Sequence, residues 1–491
     1  MQVFYGASVK KIQAYITQTN KLREIAGASE LVQYVCTECF QEFCKDQDIA
    51  PADVDVIIQA AGNIRAVFRN RADAAKVMLA FPKLVAKTAP GLQFIQATLD
   101  LDHEHPTYDD VQLLEARLRE QLPVPAVLAD WSVTRKCSRT GVPAVATHDG
   151  KPIDAATQAK LDHAEYHFLA LKLKLDESHT FPDDINRIAN AKSFVAVIHA
   201  DGNNLGQTLM RLKDSPTYHN DWKGFSQKLD DATVGAACAA YQRHFGEQRD
   251  NRFRPIILGG DDLTVVCAPD KAIAFTQTYL DEFARRAHEH GLGDLTACAG
   301  IAFVKQNFPF YYSLDMAEFL CGAAKKRAKA VSMNPVPSSF LFASELGSFV
   351  DDSYTAYRKR LLDTPDGHTF AFGPYATQPG TGLPCIDDLL ALADFTHAYT
   401  PIRSGVRKLI SVIRSSQSDA ALYADRLEQL ATDRQRTWAD GFLKPLAALT
   451  GQPATTFRDA LFNSDGASPI LDLITCLHFS SESDNAKETN D

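Results

Sequence analysis

The chain has 491 residues, of which 45% are hydrophobic and 23% are charged, and its formal net charge is −10. A chain of this length is typical of about three domains, and its hydrophobic fraction is sufficient to build their cores. The negative charge argues against strong nonspecific binding of nucleic acid, but it allows a small polyanionic ligand held by a few cations.

No apolar run reaches the roughly 20 residues of a membrane-spanning helix, and the N-terminus lacks the order of a signal peptide. We therefore expect a cytoplasmic protein with no membrane partner. The ten cysteines fall mostly in apolar segments, which is typical of reduced core thiols. Cys36, Cys39 and Cys44 resemble a metal cluster, but they lie in a helical pattern without a second ligand pair, so no structural zinc is expected.

The N-terminal part of the chain, residues 1–125, has the pattern of an α/β unit. Its apolar start leads into an amphipathic helical segment, and the turn Ala61-Gly62-Asn63 separates two short β-type stretches. The predicted elements are a strand at 3–7, helix within 8–43, hairpin strands at 54–60 and 64–69, a helix at 72–88, a strand at 92–101 and a helix at 107–121.

The same order of elements recurs between residues 189 and 333, which predicts a duplicated domain. Here "SFVAVIHADGNNLG" supplies the strand "FVAVIHA" and its exit, the hairpin is "RPIILGGDDLTVVCAP", and helices are expected at 206–248, 269–290 and 311–331, with a strand at 295–304. The expected divisions of the chain are a first unit at 1–125, a connector at 126–188, a second unit at 189–345, a mixed linker at 346–384, a helical domain at 385–480 and a disordered tail at 481–491.

The first candidate site residue, Asp201, ends a strand whose nearly continuous apolar character indicates that both faces are covered. Gly202, Asn203 and Asn204 follow it, in a stretch small enough for backbone amides to approach phosphate oxygens. Asp-Gly and Asn are also ordinary turn formers, so the loop alone is weak support for a site.

The hairpin strengthens the case because it carries two adjacent acids. Gly259 and Gly260 can adopt positive φ without penalty, which fits a tight turn, and Asp261 and Asp262 begin the returning strand. Adjacent carboxylates beside a buried sheet are costly unless cations offset them. If this hairpin pairs with the strand ending at Asp201, three carboxylates meet at one edge and suit one or two Mg²⁺ or Mn²⁺ ions that carry a nucleoside triphosphate.

A source of positive charge lies on the helix after the last strand of the second unit. Lys325 and Lys329 are four residues apart and therefore share one face, while the apolar residues of this helix pack inward. Such a pair suits the outer phosphates of a nucleotide. The alternative interpretation is a solvated basic helix end, which is common for charge runs.

Together, "FVAVIHADGNNLG", "ILGGDDLTVV" and "CAGIAFVKQNFPFYYSLDMAEFLCGAAKKRAK" resemble the second palm domain of the large subunit of type III CRISPR effector complexes. That palm is related to GGDEF diguanylate cyclases. The opening "SVKKIQAYITQTNKLREIAGASELV" resembles the first palm of the same family. The resemblance implies an α+β fold with two ferredoxin-like palms, antiparallel sheets covered by helices, and a helical C-terminal domain.

The resemblance also implies an activity, in which a nucleotide 3′-hydroxyl attacks the α-phosphate of ATP and cyclic oligoadenylates result. Asp201 and Asp261 would be metal ligands, and Asp262 would complete the second metal site or orient the attacking hydroxyl. Lys325 and Lys329 would bind phosphate, next to the glycine-rich loop and turn. The implied partners are nucleoside triphosphates, RNA-binding subunits of the complex, and guide and target RNA.

The sequence departs from the family pattern in three places. The first palm has "YGASVKK" and "QAAGNI" where acids would stand, so we expect it to be metal-free and at most to help bind a second nucleotide. A paired-cysteine zinc element between the palms is reduced to Cys137. The N-terminal HD nuclease domain of many relatives is not expected in this chain.

The leading hypothesis is therefore a metal-dependent nucleotidyltransferase that makes a cyclic or linear oligonucleotide signal in antiviral defence. A non-catalytic, nucleotide-binding scaffold subunit of a CRISPR-like ribonucleoprotein is the alternative. A template-dependent polymerase ranks last, since the sequence shows no fingers-sized insertion and no extended basic stretch.

Overall fold

A computed structural model describes residues 2–479, apart from 61, 124–132, 165–167, 177–178, 248–249, 348, 432–434 and 453–454. The expected disordered tail at 481–491, Ala61 of the first turn and the beginning of the connector lie outside the described residues. Across the described ranges, no helix combines the length and the apolar character needed to cross a membrane.

The first repeat folds around a four-stranded antiparallel sheet. Its strand order is β2-β3-β1-β4, which is the ferredoxin-like order expected from the sequence. Helices cover both faces, because alternate residues of the central strand β1 are buried on each side. The elements are β1 (Gln2–Lys10), α1 (Ile12–Ile16), α2 (Leu22–Cys36), α3 (Glu38–Asp46), β2 (Val54–Ala60), β3 (Asn63–Phe68), α4 (Arg71–Thr88), β4 (Gln93–Leu101) and α5 (Tyr108–Glu120).

The described part of the connector contains a small hairpin and two short α-helices. They are β5 (Ala146–His148), β6 (Lys151–Ile153), α6 (Ala155–Asp162) and α7 (Phe168–Lys172). Cys137 is buried in this part of the chain. Cys36, Cys39 and Cys44 are also buried, in α2 and α3, and burial raises the pKa of each thiol, as expected for core residues.

The second repeat builds the same arrangement on a larger sheet of order β12-β11-β10-β7-β9-β8. The elements of this repeat are β7 (Phe194–Gly202), α8 (Leu205–Arg211), α9 (Tyr218–Tyr241), β8 (Phe253–Gly259), β9 (Asp262–Cys267), α10 (Pro269–Glu289), β10 (Ala297–Lys305), α11 (Phe310–Val331), β11 (Ser339–Glu345), α12 (Tyr354–Tyr357) and β12 (Tyr375–Ala376). The strand order of its first four strands, β8-β9-β7-β10, repeats that of the first sheet.

One strand of the second repeat departs from the antiparallel pairing expected of the sheets. Strand β11 pairs in parallel with β10, with Cys298 opposite Ser339. The reason is the crossover through α11, which returns the chain to the end of the sheet from which β10 began. The segment expected to be a linker also adds β12 to this sheet.

The two repeats pack against each other reciprocally. Helix α9 of the second repeat lies against β2 of the first, and α2 of the first lies against β8 of the second. Asp55 on β2 accepts hydrogen bonds from His219 at 2.6 Å and Lys223 at 2.7 Å, both on α9. On the other side, the Ser29 hydroxyl donates to the Ile256 carbonyl. The corresponding edges of both sheets therefore face a common interface.

The C-terminal region is helical, as expected. Its helices are α13 (Ile386–Ala398), α14 (Thr400–Ser415), α15 (Gln417–Leu430), α16 (Gln435–Trp438), α17 (Lys444–Thr450), α18 (Phe457–Ala460) and α19 (Ile470–Phe479). Trp438 stacks on Phe442 with ring centroids 4.2 Å apart, and Phe457 meets Phe442 edge-on. Phe479 stacks on Phe303 of β10, which fixes this region to the second sheet.

Candidate functional site

The candidate site lies at the end of β7, where a buried strand reaches the surface. Residues from Val195 to Ile198 and Ala200 are fully buried, and Asp201 is the first residue of the strand whose side chain is partly exposed. In the sheet, Ala200 is opposite Leu263 of β9. One residue further along each strand, Asp201 and Asp262 therefore come to the same edge.

The "GGDD" turn is a two-residue hairpin in which Gly259 pairs with Asp262. Gly260 has φ of 63°, whereas Gly259 and Asp261 do not have positive φ. This is the pattern of a type II′ turn, whose first central position favours glycine. Of the two glycines, Gly260 alone uses its freedom to adopt positive φ. Gly259 is needed for a different reason, since a Cβ there would lie 3.1 Å from the Lys172 Nζ atom.

The turn brings the three predicted carboxylates together. One ligand atom from each of Asp201, Asp261 and Asp262 lies within 4.8 Å of the other two. Gly202 makes this approach possible, because a Cβ on it would lie only 3.1 Å from the Asp261 Cβ. In the part of the chain that the structure describes, this is the only group of three or more such ligands that could hold a metal ion.

The cluster is electrostatically strained without a cation. Burial raises the pKa of Asp261 to about 7, with further contributions from the Asp262 charge and a hydrogen bond to Asp201. Burial and the Asp201 charge raise the pKa of Asp262 to about 6, and Lys325 opposes that rise. Carboxylates held this close favour a bound cation, because it relieves both desolvation and mutual repulsion.

Lys325 enters the cluster directly from α11. Its Nζ donates to the Asp201 Oδ2 at 2.7 Å and to the Gly202 carbonyl at 2.6 Å. Lys329 follows one turn later and is half-buried, and it forms no ion pair with the described residues. Lys325 is thus brought into the site, and Lys329 lies beside it on the same helical face.

The loop after Asp201 is held more tightly than the sequence suggests. The Asn203 backbone N–H donates to the Thr296 carbonyl at 2.8 Å, and its side-chain amide donates to the Thr296 hydroxyl at 2.9 Å. Asn204 adopts a left-handed conformation with φ of 59°, and its side chain donates to the Met333 carbonyl at 2.8 Å. The expected contact of the Asn203 amide with phosphate is therefore not available in this conformation.

Sequence reasoning missed a further carboxylate, Glu318, on the same helix as the lysines. Burial raises its pKa to about 7, and the charges of Asp315 and Asp262 add to the rise. Its Oε1 atom is buried without a hydrogen-bond partner among the described residues. Glu318 precedes Lys325 by seven residues, or two helical turns, so a search along that face would have found it.

Sequence reasoning also missed the side chains that hold the acidic turn. The Asp230 Oδ1 on α9 accepts the Gly260 backbone N–H at 3.0 Å and the Lys172 Nζ at 3.1 Å. The Thr233 hydroxyl donates to the Gly260 carbonyl at 2.6 Å. Charged residues on a surface helix give no sequence signal for such a role, because most of them are simply solvated.

The corresponding edge of the first repeat has different chemistry. The register of the strands places Ser8 where Asp201 stands and Asn63 where Asp262 stands, and the Ser8 hydroxyl donates to the Asn63 Oδ1 at 2.8 Å. Arg65, two residues later, is buried and donates to Glu115, Ser8 and two backbone carbonyls. All of its N–H groups are thereby used within the first repeat.

Comparison with known proteins places this site in a family context. Residues 194–332 match the model of the Cas10/Cmr2 second palm domain. No curated protein matches the chain in sequence. The crystal structure of a Csm1-Csm4 cassette in complex with cA3 matches with a TM-score of 0.52 and 14% identity, over 91% of this chain and 69% of that chain. The cassette in complex with AMPPNP matches with a TM-score of 0.46 and 14% identity, over 91% and 69%.

The resemblance inferred from the motifs is therefore confirmed. Residues 194–332 form a second palm domain of the Cas10/Cmr2 type. The match to the cassette with cA3 shows that the fold of a type III CRISPR large subunit, Csm1, extends over most of the chain. The ferredoxin-like palms expected from the sequence belong to that fold.

Proposed function

We propose that the second palm catalyses metal-dependent nucleotidyl transfer on ATP or a related nucleoside triphosphate. The product would be a cyclic or linear oligonucleotide signal, made in CRISPR-type antiviral defence. The observation that carries this proposal is the convergence of three carboxylates and Lys325 at one sheet edge. The match of this segment to a Cas10/Cmr2 palm supports it, as does the fold shared with a cassette whose crystal contains cA3.

The donor set fits a hard divalent cation. Asp201, Asp261 and Asp262 offer only carboxylate oxygens, which are the ligands that Mg²⁺ and Mn²⁺ favour. Burial and neighbouring carboxylates raise the pKa values of Asp261 and Asp262, and a bound cation would offset both effects. When bound there, such an ion supplies charge neutralisation and polarisation of a phosphoryl oxygen. These three side chains would hold it, in one or two positions.

The reaction proposed for this site is an in-line displacement at phosphorus. The 3′-hydroxyl oxygen of one nucleotide forms a bond to the α-phosphorus of another, the bond from that phosphorus to the bridging oxygen breaks, and pyrophosphate leaves with the electron pair. The hydroxyl proton passes to solvent water, and Asp262, at the start of β9, would orient that hydroxyl. Lys325 would exchange its bond to Asp201 for a phosphate oxygen and neutralise the departing charge.

The proposed partners follow from the same comparison. Nucleoside triphosphates are the small ligands, and we expect the chain to assemble with RNA-binding subunits that carry guide and target RNA. The first palm would at most help to bind a second nucleotide, because Ser8, Asn63 and Arg65 satisfy one another at the equivalent edge. In that arrangement one chain would bind two triphosphates across the interface of the palms.

A turnover assay tests the proposal. The purified chain is incubated with ATP labelled at the α-phosphate and Mn²⁺, with and without target RNA and its guide complex. We expect a labelled oligonucleotide that is lost in Asp261→Ala/Asp262→Ala and kept in Asp214→Ala, which changes an exposed acid of the same palm. Absence of turnover by the unmodified chain under all these conditions contradicts the proposal.

A second candidate function is a nucleotide-binding scaffold without catalysis. The observation in its favour is the contact of Lys325 with Asp201, because an ammonium group already neutralises part of the acidic cluster. Calorimetry separates the two functions. A scaffold binds ATP with little dependence on divalent cations and forms no product. The enzyme requires the cation both to bind ATP and to form product.

A further inference from the structure

The acidic turn is held from behind by two side chains that belong to other elements. Asp230, on α9, accepts the Gly260 backbone N–H at 3.0 Å. Lys172, at the end of α7 in the connector, donates to Asp230 at 3.1 Å and to the Leu258 carbonyl at 3.1 Å. The turn is therefore fixed at one backbone N–H and one backbone carbonyl, on either side of Gly259.

These contacts explain why residue 259 is a glycine, which the geometry of the turn does not require. A Cβ at Gly259 would lie 3.1 Å from the Lys172 Nζ and 3.2 Å from the Asp230 Oδ1, which is tighter than ordinary contact. Gly259 does not have positive φ, so conformational freedom is not the reason for a glycine there. The close approach of the lysine and the aspartate is the reason, and it indicates that the turn and this pair fit together as a unit.

The pair is also shielded from water, which makes its geometry definite. The side chain of Lys172 is 14% exposed and that of Asp230 is 29% exposed. The Lys172 ammonium also lies 5.6 Å from the centre of the Phe168 ring. A partly desolvated ion pair with a backbone N–H as its third member holds its partners more firmly than an exposed pair would.

Helix α7 connects this arrangement to the first palm. The backbone N–H of Leu169 donates to the Glu30 Oε1 on α2 at 3.2 Å, and Lys172 lies one turn later. A short helix of the connector thus contacts the first palm at one end and the acidic turn of the second palm at the other. Movement between the palms would change the position of α7 and hence that of the turn.

We infer that Asp230 and Lys172 are positioning residues for the acidic turn, and that they set the affinity of its carboxylates for divalent cations. Neither residue is among the three carboxylates that would hold the ion. The Asp230 side chain binds the Gly260 backbone N–H and so holds the turn in one conformation, in which Asp261 and Asp262 lie next to Asp201. This inference rests on the proposed function of the site, since it concerns the same carboxylates.

Mn²⁺ binding to the full chain without nucleotide tests the inference, with electron paramagnetic resonance as the readout. Outer residues that orient metal ligands commonly change metal affinity by about 10- to 100-fold. We expect Asp230→Ala to weaken Mn²⁺ binding by at least about tenfold on that basis. Asp230→Asn should recover most of the affinity, because its side-chain carbonyl still accepts the Gly260 N–H.

The neighbouring acid provides a matched control. Asp231 is exposed on the same helix, so Asp231→Ala should bind Mn²⁺ within about twofold of the unmodified chain, since surface substitutions away from special features change little. Lys172→Met should weaken binding, and Lys172→Arg should restore it. Equal Mn²⁺ affinity in Asp230→Ala and Asp231→Ala would overturn the inference.

A second measurement keeps the inference separate from the proposed function. Hydrogen exchange of the 257–264 hairpin is followed in the same variants. Asp230→Ala should speed exchange at the Gly260 amide, and Asp231→Ala should not. If the unmodified chain binds no Mn²⁺, the proposed function fails, and the exchange result alone then decides whether Asp230 positions the turn. Unchanged exchange in Asp230→Ala overturns that role.

Discussion

The three clustered carboxylates should cost the protein stability when no cation is bound, so their neutralisation should stabilise the fold. The perturbation is Asp261→Asn/Asp262→Asn, which removes two charges and keeps the side-chain shape. Asp261 and Asp262 have pKa values of about 7 and 6, raised mainly by burial above the usual 3.8. Because the folded pKa values lie above the usual 3.8, folding is favoured at low pH, and stability falls progressively as the pH rises from about 4 to about 7.

The magnitude follows from the separation of the charges. Two like charges no more than 4.8 Å apart repel by about 3.5 kcal/mol or more at an effective dielectric constant of about 20. Salt and the Lys325 ammonium reduce this repulsion. We therefore expect the free energy of unfolding of the double variant to exceed that of the unmodified chain by about 1–3 kcal/mol at pH 8. For a domain of about 150–250 residues such a change raises the unfolding temperature by about 2–12 °C.

Thermal unfolding of the metal-free protein at pH 8 and pH 5 is the assay. The increase in unfolding temperature of the double variant over the unmodified chain should be largest at pH 8. It should shrink at pH 5, where both aspartates of the unmodified chain are protonated. Asp214→Asn, at an exposed site of the same palm, is the control and should change the unfolding temperature by less than about 1 °C. A double variant that is less stable than the unmodified chain at pH 8, or equally stabilised at both pH values, refutes the electrostatic reasoning.

Two further substitutions test the geometry of the site. Lys325→Met removes the ammonium that lies 2.7 Å from Asp201. The unfolding temperature should fall, and turnover should drop by about 100-fold or more. Lys326→Met, at the adjacent exposed lysine, is the control and should leave the unfolding temperature and turnover unchanged. Gly202→Ala places a Cβ 3.1 Å from the Asp261 Cβ and should weaken Mn²⁺ binding measured by calorimetry. Gly206→Ala, with open space around its Cβ, is the matched control, and an equal loss in both glycine variants would contradict the packing argument.

The order of strands and helices was predictable because the apolar patterns of both repeats are strong. The buried run from Val195 to Ala200 gives β7, and the bounds of the "GGDD" hairpin agree with the predicted strands within one or two residues. Strand β11 was not predicted, because "SSFLFASE" is a short apolar run that periodicity alone does not distinguish from other structure. Its parallel pairing depends on the crossover of α11, which is a tertiary property.

The candidate site was predictable only in part. The sequence places three aspartates at strand ends and one lysine on a helix face, so their side chains were expected to meet. The structure brings these four residues together: Asp201, Asp261, Asp262 and Lys325. Asp230 could not be found in this way, since its bond to Gly260 joins an ordinary helix surface to a turn thirty residues later. The local sequence identifies the candidate metal ligands, whereas the residues that hold those ligands in place are set by tertiary contacts.

The most direct measurement of the central claim is mass spectrometry of the products formed from an equimolar mixture of the four ribonucleoside triphosphates with Mn²⁺ and guide and target RNA. We predict species built from nucleoside monophosphate units joined by phosphodiester bonds, formed together with pyrophosphate and absent from Asp261→Asn/Asp262→Asn. The same products from the variant, or none from the unmodified chain, would contradict the assignment of nucleotidyl transfer to this site.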